Sequence, residues 1–196
     1  MVGLTGGGIR AIGTSHAQDW LRAARRPEVV AGLEAVFAHA AAAIEARGPA
    51  CWASGRCCNF ESAGHRLYTT GLEAAYTVVR LDARRSAAHS AMAHQSTLPS
   101  PFGWPGGALT LPQIGEARDR GGCPFQQSNL CGVHEIKPVA CRVYFCDRSA
   151  QTWQHDLSEH LHEQVRLLQA SHGIEYLYAE WRTLLEMLAG ESPGSA

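Results

Sequence analysis

The sequence offers no long apolar run: nothing read along its 196 residues approaches the length of a membrane span. It also lacks a charge bias. Seventeen basic residues face eighteen acidic ones, and the net charge of −1 calls for neither nucleic acid nor an anionic membrane as partner. The opening MVGLTGGGIRAIGTSHAQDW has neither a basic start nor a continuous apolar stretch, so it does not read as a secretory signal. No internal repeat, Ser-His-Asp set or dinucleotide fingerprint can be read. Gly6-Gly7-Gly8 is not followed by the Gly-Lys-Ser/Thr of a phosphate loop. A cytoplasmic chain is the expectation from these absences, and they leave the reaction open.

What the chain does have is cysteine. Cys51, Cys57 and Cys58 form one group; Cys123, Cys131, Cys141 and Cys146 form another. They stand beside Gly, Pro and Asn rather than on apolar helix faces. Seven thiols cannot all pair within one chain, and in a reducing compartment clustered cysteines point to metal or redox chemistry before disulfides. Thiolates grouped in this way bind soft or borderline metals through short, strongly donating bonds.

The rest reads as a small, mainly α domain with cysteine-rich metal-binding loops and little sheet. The chain is 45% hydrophobic, enough to bury a core without disulfide staples. Residues 1–13 are Gly-rich and read as a flexible start, 14–190 as one domain, and 191–196 as a flexible tail. Thr14 or Ser15 caps a short helix through about Arg25. Pro27 opens a second helix whose stripe is Val29, Leu33, Val36, Phe37, Ala40 and Ile44, and Gly48-Pro49 ends it. An extended stretch covers about His65–Thr69. Thr70 to Glu73 reads as a capping box, followed by a helix with Leu72, Ala75, Tyr76 and Val79 inward. A small helical segment is expected within 84–95. Residues 97–122, rich in Pro and Gly, read as one long loop that could cover a pocket near the cysteines. Leu157, Leu161, Val165 and Leu168 mark another helix, stopped by His172-Gly173. Ile174, Leu177, Tyr178, Trp181, Leu184, Leu185 and Leu188 read as a last helical stripe.

The run Cys51-Trp-Ala-Ser54-Gly-Arg-Cys57-Cys58 fits a C-x2-C-x2-C-C frame with Ser54 in place of the second cysteine. Downstream stand Cys123-Pro-Phe and Cys131-Gly-Val-His134-Glu-Ile-Lys137-Pro138-Val-Ala-Cys141-Arg142. Over roughly Cys51 to Cys146 the chain resembles the YkgJ-type CxxCxxCC family of zinc- or iron-chelating domains. That resemblance implies a metal centre held by Cys51, Cys57, Cys58, Cys123, Cys131, Cys141 and Cys146. An iron–sulfur cluster is the expected cofactor, with a zinc or iron ion as the alternative. Some flagellin lysine methylases carry a related cysteine module, so a cluster-dependent modification enzyme is an alternative to a redox protein with a partner protein, or to a purely structural chelating module. Cys146 departs from the frame and restores the thiol count that Ser54 lowers.

Several residues near these thiols have two readings. His134 is a candidate nitrogen ligand or a loop hydrogen-bonder. Arg142 either offsets thiolate charge, holds an anionic substrate, or pairs with Glu135. Phe125 and Tyr144 are expected to wall the site against water. Trp153 and Trp181 read as core. Adjacent Cys57 and Cys58 are expected to diverge from an extended backbone. His155, Glu159, His162 and Arg166 share a helix face that reads as a solvated surface.

Overall fold

The computed structural model describes residues 16–51, 54–92 and 108–190. The expected flexible start, the Thr14/Ser15 cap, the 93–95 end of the segment expected within 84–95, the 97–107 part of the expected loop and the tail lie outside them. The fold is mainly α, with only short antiparallel strands.

Helix α1 (16–23) buries Ala17, Trp20 and Leu21. Helix α2 (Pro27–Arg47) begins with Pro at its first position and Glu28 in its first turn, and it ends where Gly48 takes a left-handed φ of 59°. Its buried face is Val29, Leu33, Val36, Phe37 and Ala40, packed against helix α6 (Gln151–Ser171). By length and composition α2 could cross a bilayer, since an 18-residue window reaches a mean hydropathy of 1.5. This corrects the reading that no apolar run is that long: Glu34 and His39 interrupt the sequence, but the alanines and the Val, Leu, Phe and Ile residues around them keep the mean hydropathy high.

Strand β1 (Tyr68–Thr70) leads into helix α3 (Gly71–Met92) through the capping box. The Glu73 main-chain N–H donates to Thr70 Oγ1 at 3.3 Å, and the Thr70 N–H donates back to Glu73 Oε2 at 3.1 Å. Helix α3 then runs unbroken through the region expected to hold a separate segment, because no Gly or Pro interrupts residues 72–92.

The long-loop reading of 97–122 is also corrected. Residues 111–119 form helix α4 (Leu111–Asp119), with Thr110 and Gln113 in a reciprocal capping box and Pro112 in the first turn. A two-residue hairpin follows, β2 (Gln126–Gln127) with β3 (Leu130–Cys131). Ser128 and Asn129 make its turn at φ 46° and 67°, a left-handed pair whose twist matches the strands. Next come the short helix α5 (Val139–Arg142), a 3-10 turn at Arg148–Ala150, and α6.

Ile174–Leu177 is not helical, against the last stripe read from the sequence. Tyr178–Glu180 forms β4, paired antiparallel with β1 in the register Tyr68↔Glu180 and Thr70↔Tyr178. Aromatic residues suit a strand, and pairing with β1 overrides the local four-residue spacing. Only Trp181–Ala189 is helix α7; it packs on α3 and α4 and buries Trp181, Leu184, Leu185 and Leu188. One hydrophobic cluster runs through most of these elements.

At the first residue of α3 the fold needs a glycine. A Cβ on Gly71 would lie 2.5–2.6 Å from three atoms of the Trp20 indole. That ring is fully buried and is fixed by its N–H donating to the Glu175 carbonyl at 2.8 Å. Gly71→Ala should therefore cost about 1–3 kcal/mol through overpacking. Gly115, inside α4, has nothing within 4 Å of an added Cβ. Gly115→Ala should instead stabilise by up to about 1 kcal/mol through helix propensity. Thermal melts of the two variants check the pair: Tm falls in the first and is unchanged or higher in the second.

Candidate metal centre

Beyond Gly48 the chain leaves α2 and turns sharply at Gly55, whose φ is 72°. The Cys58 N–H donates to the Gly55 carbonyl at 2.9 Å. Cys57 and Cys58 thus sit in a tight turn and not in the expected extended backbone, with each thiol near enough to shift the other's titration. A Cβ on Gly55 would stand 2.9 Å from the Asn129 carbonyl oxygen, so the turn rests against the tip of the β2–β3 hairpin.

The second cysteine segment meets it directly. The Cys123 N–H donates to the Cys58 carbonyl at 2.8 Å, and the Glu61 N–H to the Gly121 carbonyl at 3.0 Å. Cys131 arrives on β3. Cys141 arrives on α5, with Pro138 at the capping position before it. Glu73 clamps that delivery. Its buried carboxylate accepts from Val139 N at 2.8 Å through one oxygen, and from Thr69 Oγ1, Thr70 Oγ1 and Thr70 N through the other. Four donors satisfy a group that would be costly to bury unpaired. Thr77 Oγ1 adds a bond to the Ile136 carbonyl at 2.8 Å.

All seven cysteines line one cavity of about 570 Å³, and all seven are free. They divide into five and two. Buried Cys58 is the hub: the thiols of Cys123, Cys131 and Cys57 all lie near enough to shift its titration. Cys141 interacts electrostatically with Cys123, Cys131 and Cys57. The neighbouring Cys123 and Cys131 thiols drive the Cys58 pKa far up. Cys57 falls to about 6 and Cys131 to about 7, first through the adjacent Cys58 thiol and further because Lys137 is near. Burial, ahead of its neighbouring thiols, holds Cys141 well above the ordinary thiol range.

The other two thiols stand at the rim. Cys146 Sγ lies 3.5 Å from Ser54 Oγ, and the Ala50 N–H donates to Asp147 Oδ2 at 3.4 Å, which holds the exposed Cys51 loop alongside Cys146. The cysteine that departs from the frame therefore lies beside the serine that does.

The donors suit a thiophilic metal, but they are not set in a finished coordination shell. Among the described residues no group of three or more His, Cys, Asp or Glu side chains stands ready to hold a metal ion. Thiols that carry protons must give them up before they ligate.

The neighbours differ in part from expectation. His134 is exposed and lines the cavity; nearby Lys137, ahead of burial, lowers its pKa. Arg142 makes no side-chain ion pair with Glu135. It donates to the Glu135 carbonyl at 2.7 Å and lies 4.1 Å over the Phe37 ring, because the Glu135 carboxylate is taken by Arg84. Phe125 does not line the cavity; it is fully buried beneath, against Trp181. Tyr144 does line it, stacked on His65 at 4.6 Å. Trp181 is core, as read from sequence, but also lines the cavity, which its spacing does not disclose. His155 and Glu159 are exposed, His162 bonds Tyr176 OH at 2.7 Å, and Arg166 pairs with Glu163. That face is surface.

The thiol pKa pattern has a direct readout. In metal-free protein, iodoacetamide at pH 7 should alkylate Cys57 and Cys131 well before Cys58 and Cys141, because only thiolates react. Labelling of Cys57 should fall as pH drops through about 6. Peptide mass spectrometry reads the order, and early labelling of Cys58 would contradict this proton arrangement.

No protein-family model, no curated protein and no solved structure matches the chain.

Proposed function

We propose that this protein is a thiolate metal-centre protein in which Cys57, Cys58, Cys123, Cys131 and Cys141 hold an iron–sulfur cluster or a zinc or iron ion. One observation carries the reading: Cys57 and Cys58 of one segment and Cys123, Cys131 and Cys141 of the other line one cavity, with the thiols of Cys57, Cys123 and Cys131 near enough to Cys58 to shift its titration. Two cysteine segments 65 positions apart gain little from meeting unless a shared ligand offsets the entropy of closing the loop. The resemblance to the YkgJ-type frame points the same way.

Five clustered thiols exceed the four needed by one zinc or one 4Fe–4S cluster. The paired C-x2-C knuckles of a zinc ribbon are missing, and we favour the cluster for that reason. When bound, a cluster supplies reversible one-electron transfer, which fits a redox role with a protein partner. Cys58 must first release its proton. Lys137 offsets thiolate charge, and buried Phe60 and Trp181 keep water from one wall. Seven free thiols suit a reducing, cytoplasmic setting. The size of the cavity favours a second reading, a cluster-dependent modification enzyme, since thiolates closing on an ion at about 2.3 Å leave no such space.

Anaerobic purification followed by elemental and sulfide analysis and visible absorption tests the proposal. Brown protein with iron and acid-labile sulfide is expected; colourless zinc protein would leave the thiolate centre and remove the redox role. Cys58→Ser should lose most of the metal. Cys51→Ser and Cys146→Ser should each keep it, because the rim pair stands outside the five. Loss of metal in Cys146→Ser would instead make Cys146 the working replacement for the cysteine missing at position 54.

A further inference from the structure

Away from the thiol cavity, a polar cluster bridges α2 and α6. His39 on α2 and His160 on α6 are both exposed, and their rings meet edge to face with centroids 5.3 Å apart. Gln164 stands one turn beyond His160 on the same helix face. Its amide Nε2 lies 3.0 Å from His39 Nδ1 and 2.9 Å from His160 Nε2. Its amide oxygen is farther from His39 Nδ1, at 3.4 Å. An amide nitrogen can only donate, so both ring nitrogens accept from it. Two imidazole lone pairs, one from each helix, thus converge on a single atom. Fold stability gives little reason for this gathering, because water would satisfy the same exposed groups nearly as well.

We propose that His39 and His160 form a surface site for a divalent transition-metal ion, with His39 Nδ1 and His160 Nε2 as the two protein ligands. Neutral imidazole suits zinc, nickel and copper(II). The ion takes the place of the Gln164 amide nitrogen. Ligation at about 2.1 Å needs each ring nitrogen to close in by about 1 Å, which exposed side chains supply by rotation. Among the described residues no third His, Cys, Asp or Glu joins the pair, so water completes the shell. The site is separate from the thiol centre. Neither histidine nor Gln164 lines that cavity, and replacing them leaves every cysteine in place.

Nickel(II) is the probe, because it accepts imidazole and water together and, unlike copper(II), is not reduced by thiols. In nitrogen–proton correlation spectra of the isotope-labelled protein, a small fraction of one equivalent should broaden the His39 and His160 ring signals ahead of the rest of the ten histidines. Isothermal titration should show one nickel site that His39→Ala and His160→Ala each weaken at least tenfold. Gln164→Ala should leave that site as tight or tighter, since the competing amide is gone. A thermal melt and metal analysis of each variant establish that the fold and the thiol centre are intact. If a variant does not fold, the order of broadening in the unaltered protein still decides. Broadening that begins at other histidines, nickel binding unchanged in either histidine variant, or an equal loss in Gln164→Ala would each overturn the proposal. In the last case the three side chains only staple the two helices.

Discussion

The structure turns on one main-chain hydrogen bond, from the Cys123 N–H to the Cys58 carbonyl at 2.8 Å. It joins the two cysteine segments at the residue whose thiol has neighbours in both. Around it the elements have assignable tasks. α2 and Gly48 end at the first segment; Gly55 folds that segment back; α4 and Gly121 bring the second one up to it. A long closure of this kind is entropically unfavourable and needs many supports.

Glu73 is the main support at the other end. One residue caps α3, fixes the two threonines of β1 and holds the N–H of Val139, where α5 begins. Cys141 lies two residues further on. Local helix capping and placement of a distant thiol are thus coupled through a single buried carboxylate. Such a network, once fully bonded, specifies one geometry.

Much of the fold is legible in the sequence because it is local. The Pro27 start, the Gly48 stop and the Thr70–Glu73 box all act within a few residues. The signal for α4 is present too, as Thr110-Leu-Pro-Gln113, but the Pro and Gly around it conceal it. Residues 174–180 mislead for the opposite reason. Their spacing suits a helix, and only pairing with Tyr68–Thr70, more than a hundred residues earlier, makes a strand. The cysteines themselves are legible as a group. Their division into five and two is not, since it depends on the hairpin that carries Cys131 and on the contact between Ser54 and Cys146. The same holds for Trp181, whose period places it in the core while its unpaired N–H belongs to a residue that borders the cavity.

The central claim is that thiols from both segments hold one metal centre. Differential alkylation of the metal-loaded protein during chelator titration tests it most directly. Cys57 and Cys58 should lose protection together with Cys123, Cys131 and Cys141, in step with metal release. Exposure of one segment while the other stays protected, or equal labelling with and without metal, would contradict it.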